Sequence, residues 1–561
     1  MKKTLIVVSV GVALIAVVYF YFTIHERHRF REVRLPENIT WLKSGLTKEQ
    51  QEIWHHLSEG SEMLPMSILE ALRQPATGRP FIECLTDYGF LAERSDPLML
   101  PVGWTSQIRV VGDKKVPFIG INCAACHSGE LRYRNQTVRI DGAPNMFALE
   151  QFLMDVDGAL MQMRTNRQIA FHFVRDVIQD SQRDPALGRM IAVSPRVLKF
   201  LEKAQPNAGT DVPPGQLPSP VNGAAAVAPH EHEDLITEVV SAVQDVGGEL
   251  RRRIDTFHIL RQAVQTGVPL GPGRGDSFGI IRNLLFPENP IQLNAPVSTP
   301  HLFNMASYHW LHWDGNTTST MERNIAQAIA LGADYDPSTA RSSVLPRNLR
   351  IIEGLARRLK SPAWPENIFG KIDRGQADRG RVVYQDHCGR CHDSEQMHPA
   401  DRVGTSPFRA RNFEETLGGR PFPELLKEKA ERARLALFDG FAASDTEAGP
   451  SEPTNSVWRS TGGYVARPLA GVWATAPFLH NGSVPTLYHL LLPAAHRPVR
   501  FPVGSREFDP QKLGFDLTGT NAAPTFVLDT TLKGNGNMGH EYGVNLPEDS
   551  RMALLEYLKT L

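Results

Sequence analysis

The run Cys-x-x-Cys-His occurs twice, as Cys123-Ala124-Ala125-Cys126-His127 and as Cys388-Gly389-Arg390-Cys391-His392. Two thiols at this spacing can add to the two vinyl groups of one porphyrin, and the histidine directly after them can ligate its iron, so each run predicts a covalently bound c-type haem. A zinc ribbon or a thioredoxin-like pair leaves the repeated histidine unexplained. Ribbon pairs also sit about 15–20 residues apart, whereas a domain's length of chain separates these two. Four of the five cysteines are used in this way. The fifth, Cys84, lies in the apolar run Phe81-Ile82-Glu83-Cys84-Leu85 and reads as a small buried hydrophobe. Two haems imply two cores. The predicted fold is mainly α with small β-hairpins, loop-rich, and built as two cytochrome-c-like haem domains over residues 36–364 and 365–561.

The first 24 residues read as a separate unit. Lys2 and Lys3 precede an uncharged run from Leu5 to Phe22, long enough to span hydrocarbon, and the bulky stretch Tyr19 to Ile24 offers no small-x-small cleavage site. The expectation is a retained membrane anchor. Arg27, Arg29, Arg31 and Arg34 follow the run, the reverse of the positive-inside tendency. Covalent haem attachment in bacteria takes place outside the cytoplasmic membrane, which outweighs that bias. The chain is therefore expected in the inner membrane as a single-pass protein with its body in the periplasm.

With 60 basic and 61 acidic side chains the chain is nearly neutral and shows no basic stripe, which argues against nucleic acid as a partner. Its 41 prolines and 45 glycines fit a loop-rich protein whose cores are filled partly by cofactor. Thr47 opens a helix carrying Trp54, and Pro65 to Leu72 holds another short apolar face. Gln107 to Ile121 alternates and is β-branched, predicting a hairpin that turns at Gly112-Asp113, with a second from Glu130 to Ile140 turning at Asn135-Gln136. Met146 to Met163 is helical by periodicity. Residues 206–233, rich in proline and glycine and carrying His230 and His232, read as a disordered insertion, and Leu235 to Val264 as one long helix or two. Asp373 to Asp386 reads as a helix leading straight into Cys388, with Gly380 and Tyr384 placed to pack.

Further stretches carry a resemblance. Ser298-Thr299-Pro300-His301-Leu302-Phe303-Asn304, His312-Trp313-Asp314-Gly315-Asn316, Met321-Glu322-Arg323-Asn324, Tyr464-Val465-Ala466-Arg467-Pro468-Leu469 and Ala474 to Ser483 resemble, in order, the bacterial dihaem cytochrome c peroxidase superfamily. Leu100-Pro101-Val102-Gly103-Trp104, Ile140 to Pro144 and Gly539-His540-Glu541-Tyr542-Gly543 look closest to its rubber-oxygenase-like branch. The resemblance implies an acid–base role for Glu322 beside the N-terminal haem, where a first-turn helix carboxylate is the plainer alternative. It implies an electron relay at Phe303, a position held by tryptophan in the superfamily, with Trp310 and Trp313 nearby. It implies His540, or alternatively Tyr464, as the distal ligand of the C-terminal iron.

Gly273 to Val297 lacks the histidine that the peroxidases place there, so the N-terminal haem is expected to be open. The expected function is reduction of hydrogen peroxide at that haem, with electrons relayed by the C-terminal haem from a small redox donor protein. Oxygen-dependent oxidation of an apolar organic substrate is the alternative, and a pure electron-transfer cytochrome a third. The anchor weighs against cleavage of an insoluble polymer outside the cell.

Overall fold

A computed structural model describes residues 36, 38–93, 100–111, 114–165, 258, 261–262, 267–336, 339–438, 456–518 and 526–561. Among them helices alternate with seven small sheets of two or three strands.

The helix Lys48–His56 starts where Thr47 and Gln50 cap each other's backbone N–H groups, a reciprocal capping box. The first hairpin forms from Trp104–Val111 and Lys114–Ile121, with Val111 opposite Lys114, and Glu62–Pro65 adds a third strand. The second forms from Ser128–Tyr133 and Gln136–Asp141. It turns at Arg134-Asn135, one residue earlier than expected. Both residues have positive φ (46° and 61°), as a two-residue turn matching the strand twist requires, and asparagine tolerates that region well. The first Cys-x-x-Cys-His run is the short connection between the two hairpins, with Ala124–His127 as one helical turn. Both its ends are thereby fixed to sheets.

In the second half, Asp373 caps the helix Arg374–Tyr384 through the Gln376 N–H. That helix crosses Glu548–Leu558 where Gly380 faces the Ala553 backbone; a Cβ built on Gly380 would lie 1.9 Å from the Ala553 carbonyl oxygen. Beside this crossing Tyr384 packs on Tyr557, ring centroids 5.2 Å apart. Gly380→Ala therefore tests the crossing by sign. On an isolated helix the change would stabilise by about 1 kcal/mol; against a fixed carbonyl it is expected to cost about 1–3 kcal/mol through overpacking. A lower melting temperature by circular dichroism is the expected result, and an unchanged or higher one would show that the helices do not meet there.

The two halves interlock. Leu131, Val138 and Ile140 of the second hairpin share a core with Trp364, Trp473, Phe508 and Leu554. Buried Glu130 of the same hairpin is ion-paired to Arg139 and to Arg506. The helix Phe422–Phe438 in turn reaches back to the helix Thr320–Ala330 through the pair Arg434–Glu322. The division near Trp364-Pro365 is thus one of sequence, while the packing runs across it.

The expected membrane anchor needs correction. Among the described residues no helix is long and apolar enough to cross a membrane, and the run from Leu5 to Phe22 lies outside them. Length and apolarity permit a span but do not establish a helix that makes one. The single-pass, inner-membrane, periplasm-facing assignment and the membrane as a partner go unsupported, and the argument against an insoluble substrate falls with them. The insertion at 206–233, with His230 and His232, and most of Leu235 to Val264 also lie outside the described residues.

Candidate haem sites

At the N-terminal site Cys123, Cys126 and His127 are all buried or nearly so, and neither thiol is in a disulfide. Burial pushes the Cys126 thiol up to about 12 and the His127 imidazole down to about 3, so all three are neutral, as thioethers and an iron-bound imidazole are. His127 Nδ1 lies 3.0 Å from the Pro300 carbonyl. A carbonyl only accepts, so Nδ1 carries the proton and Nε2 keeps its lone pair for a metal.

His127 and Cys123 line a cavity partly open to solvent. Two thiols followed by an imidazole whose Nε2 keeps its lone pair are a donor set that fits a covalently held haem. Trp54, Leu302, Met305, Leu311, Ile352 and Ala356 give the cavity an apolar wall, while His312, Arg323, Glu353 and Arg467 bring polar groups. His312 sits in a hydrogen-bonded chain that fixes its state. Asn316 donates through Nδ2 to Asp314 (3.0 Å), so its Oδ1 is the acceptor for His312 Nδ1–H (2.8 Å). Arg409 in turn holds Asp314 (3.1 Å). Burial and the Arg323 and Arg409 charges hold His312 well below the usual histidine range, hence neutral. Its Nε2 therefore presents a lone pair, toward which Arg323 Nε–H points at 3.3 Å. His312 also adopts a left-handed backbone, φ 62°, a local cost of about 1–2 kcal/mol that the surrounding contacts must offset.

Glu322 has other partners. Ser319 caps its helix, and its buried carboxylate accepts from Trp458 Nε1 (2.8 Å) and Arg434 Nε (3.3 Å), away from the residues that line the cavity. Consecutive positions on a helix point about 100° apart, which is why Arg323 faces the cavity and Glu322 does not.

Of the relay candidates, Phe303 is fully buried between the halves. A Cβ on Gly142, just after the second hairpin, would lie 3.0 Å from its ring, and one on Gly471, in the second half, 2.7 Å. His301 stacks on Phe303 at 5.2 Å. Trp310 lines the cavity under the Arg459 guanidinium. Trp313 donates to the Ser298 carbonyl and packs against Tyr464.

At the C-terminal site the pattern of His127 recurs: His392 Nδ1 lies 2.8 Å from the Arg467 carbonyl. Opposite it stands His540, ring centroids 6.2 Å apart. The spacing leaves room for one metal ion between two imidazoles, so His392 and His540 are the residues that would hold an iron here. Burial keeps His540 neutral, down to about 3. Arg497 clamps its loop through the carbonyls of Asn537 (2.6 Å) and Gly539 (2.8 Å). Tyr464 is engaged elsewhere, donating to the Ser406 carbonyl and stacking on His480 with its hydroxyl 3.0 Å from Nε2.

Arg467 joins the two sites. Its carbonyl orients His392, and its guanidinium lines the N-terminal cavity and donates to the carbonyls of Trp310 (2.6 Å) and His312 (3.0 Å). Sequence reasoning quoted His312, Asn316, Arg323 and Arg467 within motifs but gave them no task. A histidine and an arginine among so many apolar neighbours were the available signal.

Residues 463–502 match a family described as RoxA-like, cytochrome c-like. The chain is 27% identical to uncharacterized protein y4iJ of Sinorhizobium fredii (strain NBRC 101917 / NGR234), an alignment covering 94% of each chain. It is 29% identical to uncharacterized protein y4iM of the same strain, over 51% of this chain and 66% of that one. The matched segment contains Tyr464, His480 and the Arg467 carbonyl against which His392 is set. This places a RoxA-like, cytochrome c-like segment in the chain, in line with the rubber-oxygenase-like branch of the resemblance and with a covalently bound c-type haem.

Proposed function

We propose that the chain is a dihaem c-type oxidoreductase that reduces hydrogen peroxide in the cavity beside His127, using electrons from a small redox donor passed on by the C-terminal haem. The observation that carries this reading is neutral His312, its Nδ1–H held by Asn316, presenting Nε2 beside Arg323 in the cavity that Cys123 and His127 line. Cys123 and Cys126 would hold one macrocycle and His127 its iron; Cys388 and Cys391 would hold the other, and His392 and His540 its iron. The bound iron supplies a position for peroxide and the two electrons.

The chain supplies the proton movements. As Arg323 Nε–H, which Nε2 otherwise accepts, turns to the peroxide, His312 Nε2 takes the proton of one peroxide oxygen and returns it to the other, which leaves as water as the O–O bond breaks. Arg323 stabilises the negative charge that develops meanwhile. The remaining oxygen becomes the second water, so that one peroxide, two electrons and two protons give two waters. Glu322 fixes the far side of the helix that carries Arg323. The fixed contacts of Phe303, Trp310 and Arg467 favour passage between the sites through packed, immobile groups.

A second reading, oxygen-dependent oxidation of an apolar substrate, draws on the RoxA-like segment and the apolar cavity wall. One experiment separates the two. Full-length protein shown by the pyridine haemochrome assay to hold two haems is mixed with a reduced small cytochrome c and peroxide. The expected result is two cytochromes oxidised per peroxide consumed. Silence with peroxide, together with oxygen uptake on adding an apolar substrate, would put the second reading in its place. Silence in both, with low-spin signals from both haems, would leave a pure electron carrier.

A further inference from the structure

Outside both haem sites, at the C-terminal end of the helix Lys48–His56, two consecutive histidines meet one carboxylate. His55 Nδ1 lies 3.0 Å and His56 Nε2 3.6 Å from the same oxygen, Oε2 of Glu93. The three atoms all fall within 4.8 Å of one another. Ligands bonded to one first-row ion at about 2.0–2.2 Å stand roughly 2.8–3.6 Å apart, from a cis-octahedral to a tetrahedral pair. The two measured separations fall in that interval.

The far nitrogens supply an independent observation. His55 Nε2 is 2.9 Å from Asp141 Oδ1, and His56 Nδ1 is 2.9 Å from the Trp104 carbonyl. Each imidazole thus has an acceptor behind it that fixes the tautomer and turns the other nitrogen toward Glu93. Carboxylates and carbonyls serve metal-bound histidines in this way. Asp141 is itself held by Gln51 Nε2 (2.6 Å) and Ser128 Oγ (2.8 Å). The side chain of His55 is 1% exposed, but those of His56 and Glu93 are 17% and 13% exposed, which leaves an entry on one side.

We propose that His55, His56 and Glu93 form a third metal centre, a mononuclear site for a divalent first-row transition ion, with Asp141 and the Trp104 carbonyl as its outer supports. Two imidazoles and one carboxylate suit zinc or ferrous iron and leave coordination positions for water. The site lies close to the N-terminal cavity: Asp141 bonds Ser128, and Ser128 accepts from Nε1 of Trp54, which lines the cavity wall.

Equilibrium dialysis of the full-length, haem-loaded protein against zinc alone, followed by elemental analysis, is the test. The expected result is one zinc per chain beyond the haem iron. Glu93→Gln, which preserves size, and His56→Gln should each abolish this uptake with the haem Soret band unchanged. Asp141→Asn should weaken it about 10–100-fold. Absence of bound zinc in the wild type, or uptake that survives both ligand substitutions, would overturn the proposal and leave His55 as a hydrogen-bonded link between Asp141 and Glu93.

Discussion

Replacing His312 by leucine is expected to lower peroxide turnover by about 10²–10⁴-fold, the range for loss of a general acid–base group, or roughly 3–5 kcal/mol of barrier. Leucine fills the space of the imidazole and leaves Cys123, Cys126 and His127 in place, so the haem content and the Soret band should stay nearly as in the wild type. The loss should fall mainly on kcat, because the proton transfer is made in the transition state. Asn316→Ala gives the matching test of orientation. Without the acceptor at Nδ1 the ring loses one of its two anchors, while Arg323 Nε–H still faces Nε2, and turnover should drop by a smaller factor with a changed pH profile. Glu322→Gln separates this reading from its rival. Its carboxylate meets Trp458 and Arg434 rather than the cavity, so turnover should stay within about tenfold of the wild type. A collapse in Glu322→Gln with a mild effect in His312→Leu would move the acid–base role back to Glu322.

The two Cys-x-x-Cys-His runs were visible because their pattern is local: thiols and histidine lie within five residues, and no tertiary contact is needed to see them. The hairpins flanking the first run were equally legible from alternation, to within one residue at Arg134-Asn135. What carries the proposed reaction is not local. His312 and Arg323 are joined across eleven positions, and the contact depends on which face of the helix Thr320–Ala330 turns inward. That face is set by Trp458 and Arg434, more than a hundred residues away, which capture Glu322. A motif fixes the neighbourhood of Glu322 but not its direction, and a helix turns each successive side chain by about 100°. The pair His55 and Glu93 was hidden for the same reason: one sits on a helix, the other in a connection, and only folding brings them to 3.0 Å. Arg467 carried no signal of its double contact, because one of its two contacts is made by the backbone.

Substituting glycine for His540 is expected to convert the C-terminal haem from six-coordinate low-spin to high-spin, seen as loss of one low-spin signal in the electron paramagnetic resonance spectrum of the oxidised protein. Glycine is preferable to alanine here. His540 has φ 49°, which glycine adopts freely and other residues only at about 1–2 kcal/mol, so the variant removes the imidazole without straining the loop that Arg497 clamps. Free imidazole should then enter the vacated space and restore the low-spin signal, an outcome that general loosening of the loop would not produce. The consequence for turnover follows from the axial ligand's hold on reduction potential. With one strong ligand gone, delivery of electrons to the N-terminal cavity should slow, and imidazole should restore it in parallel with the spectrum. Tyr464→Phe provides the contrast. It removes the hydrogen bonds to His480 and to the Ser406 carbonyl while keeping the ring stacked, and the low-spin signal should persist. Were the signal to vanish in Tyr464→Phe and survive in His540→Gly, the phenol would be the ligand, and the 6.2 Å spacing of His392 and His540 would reflect packing alone.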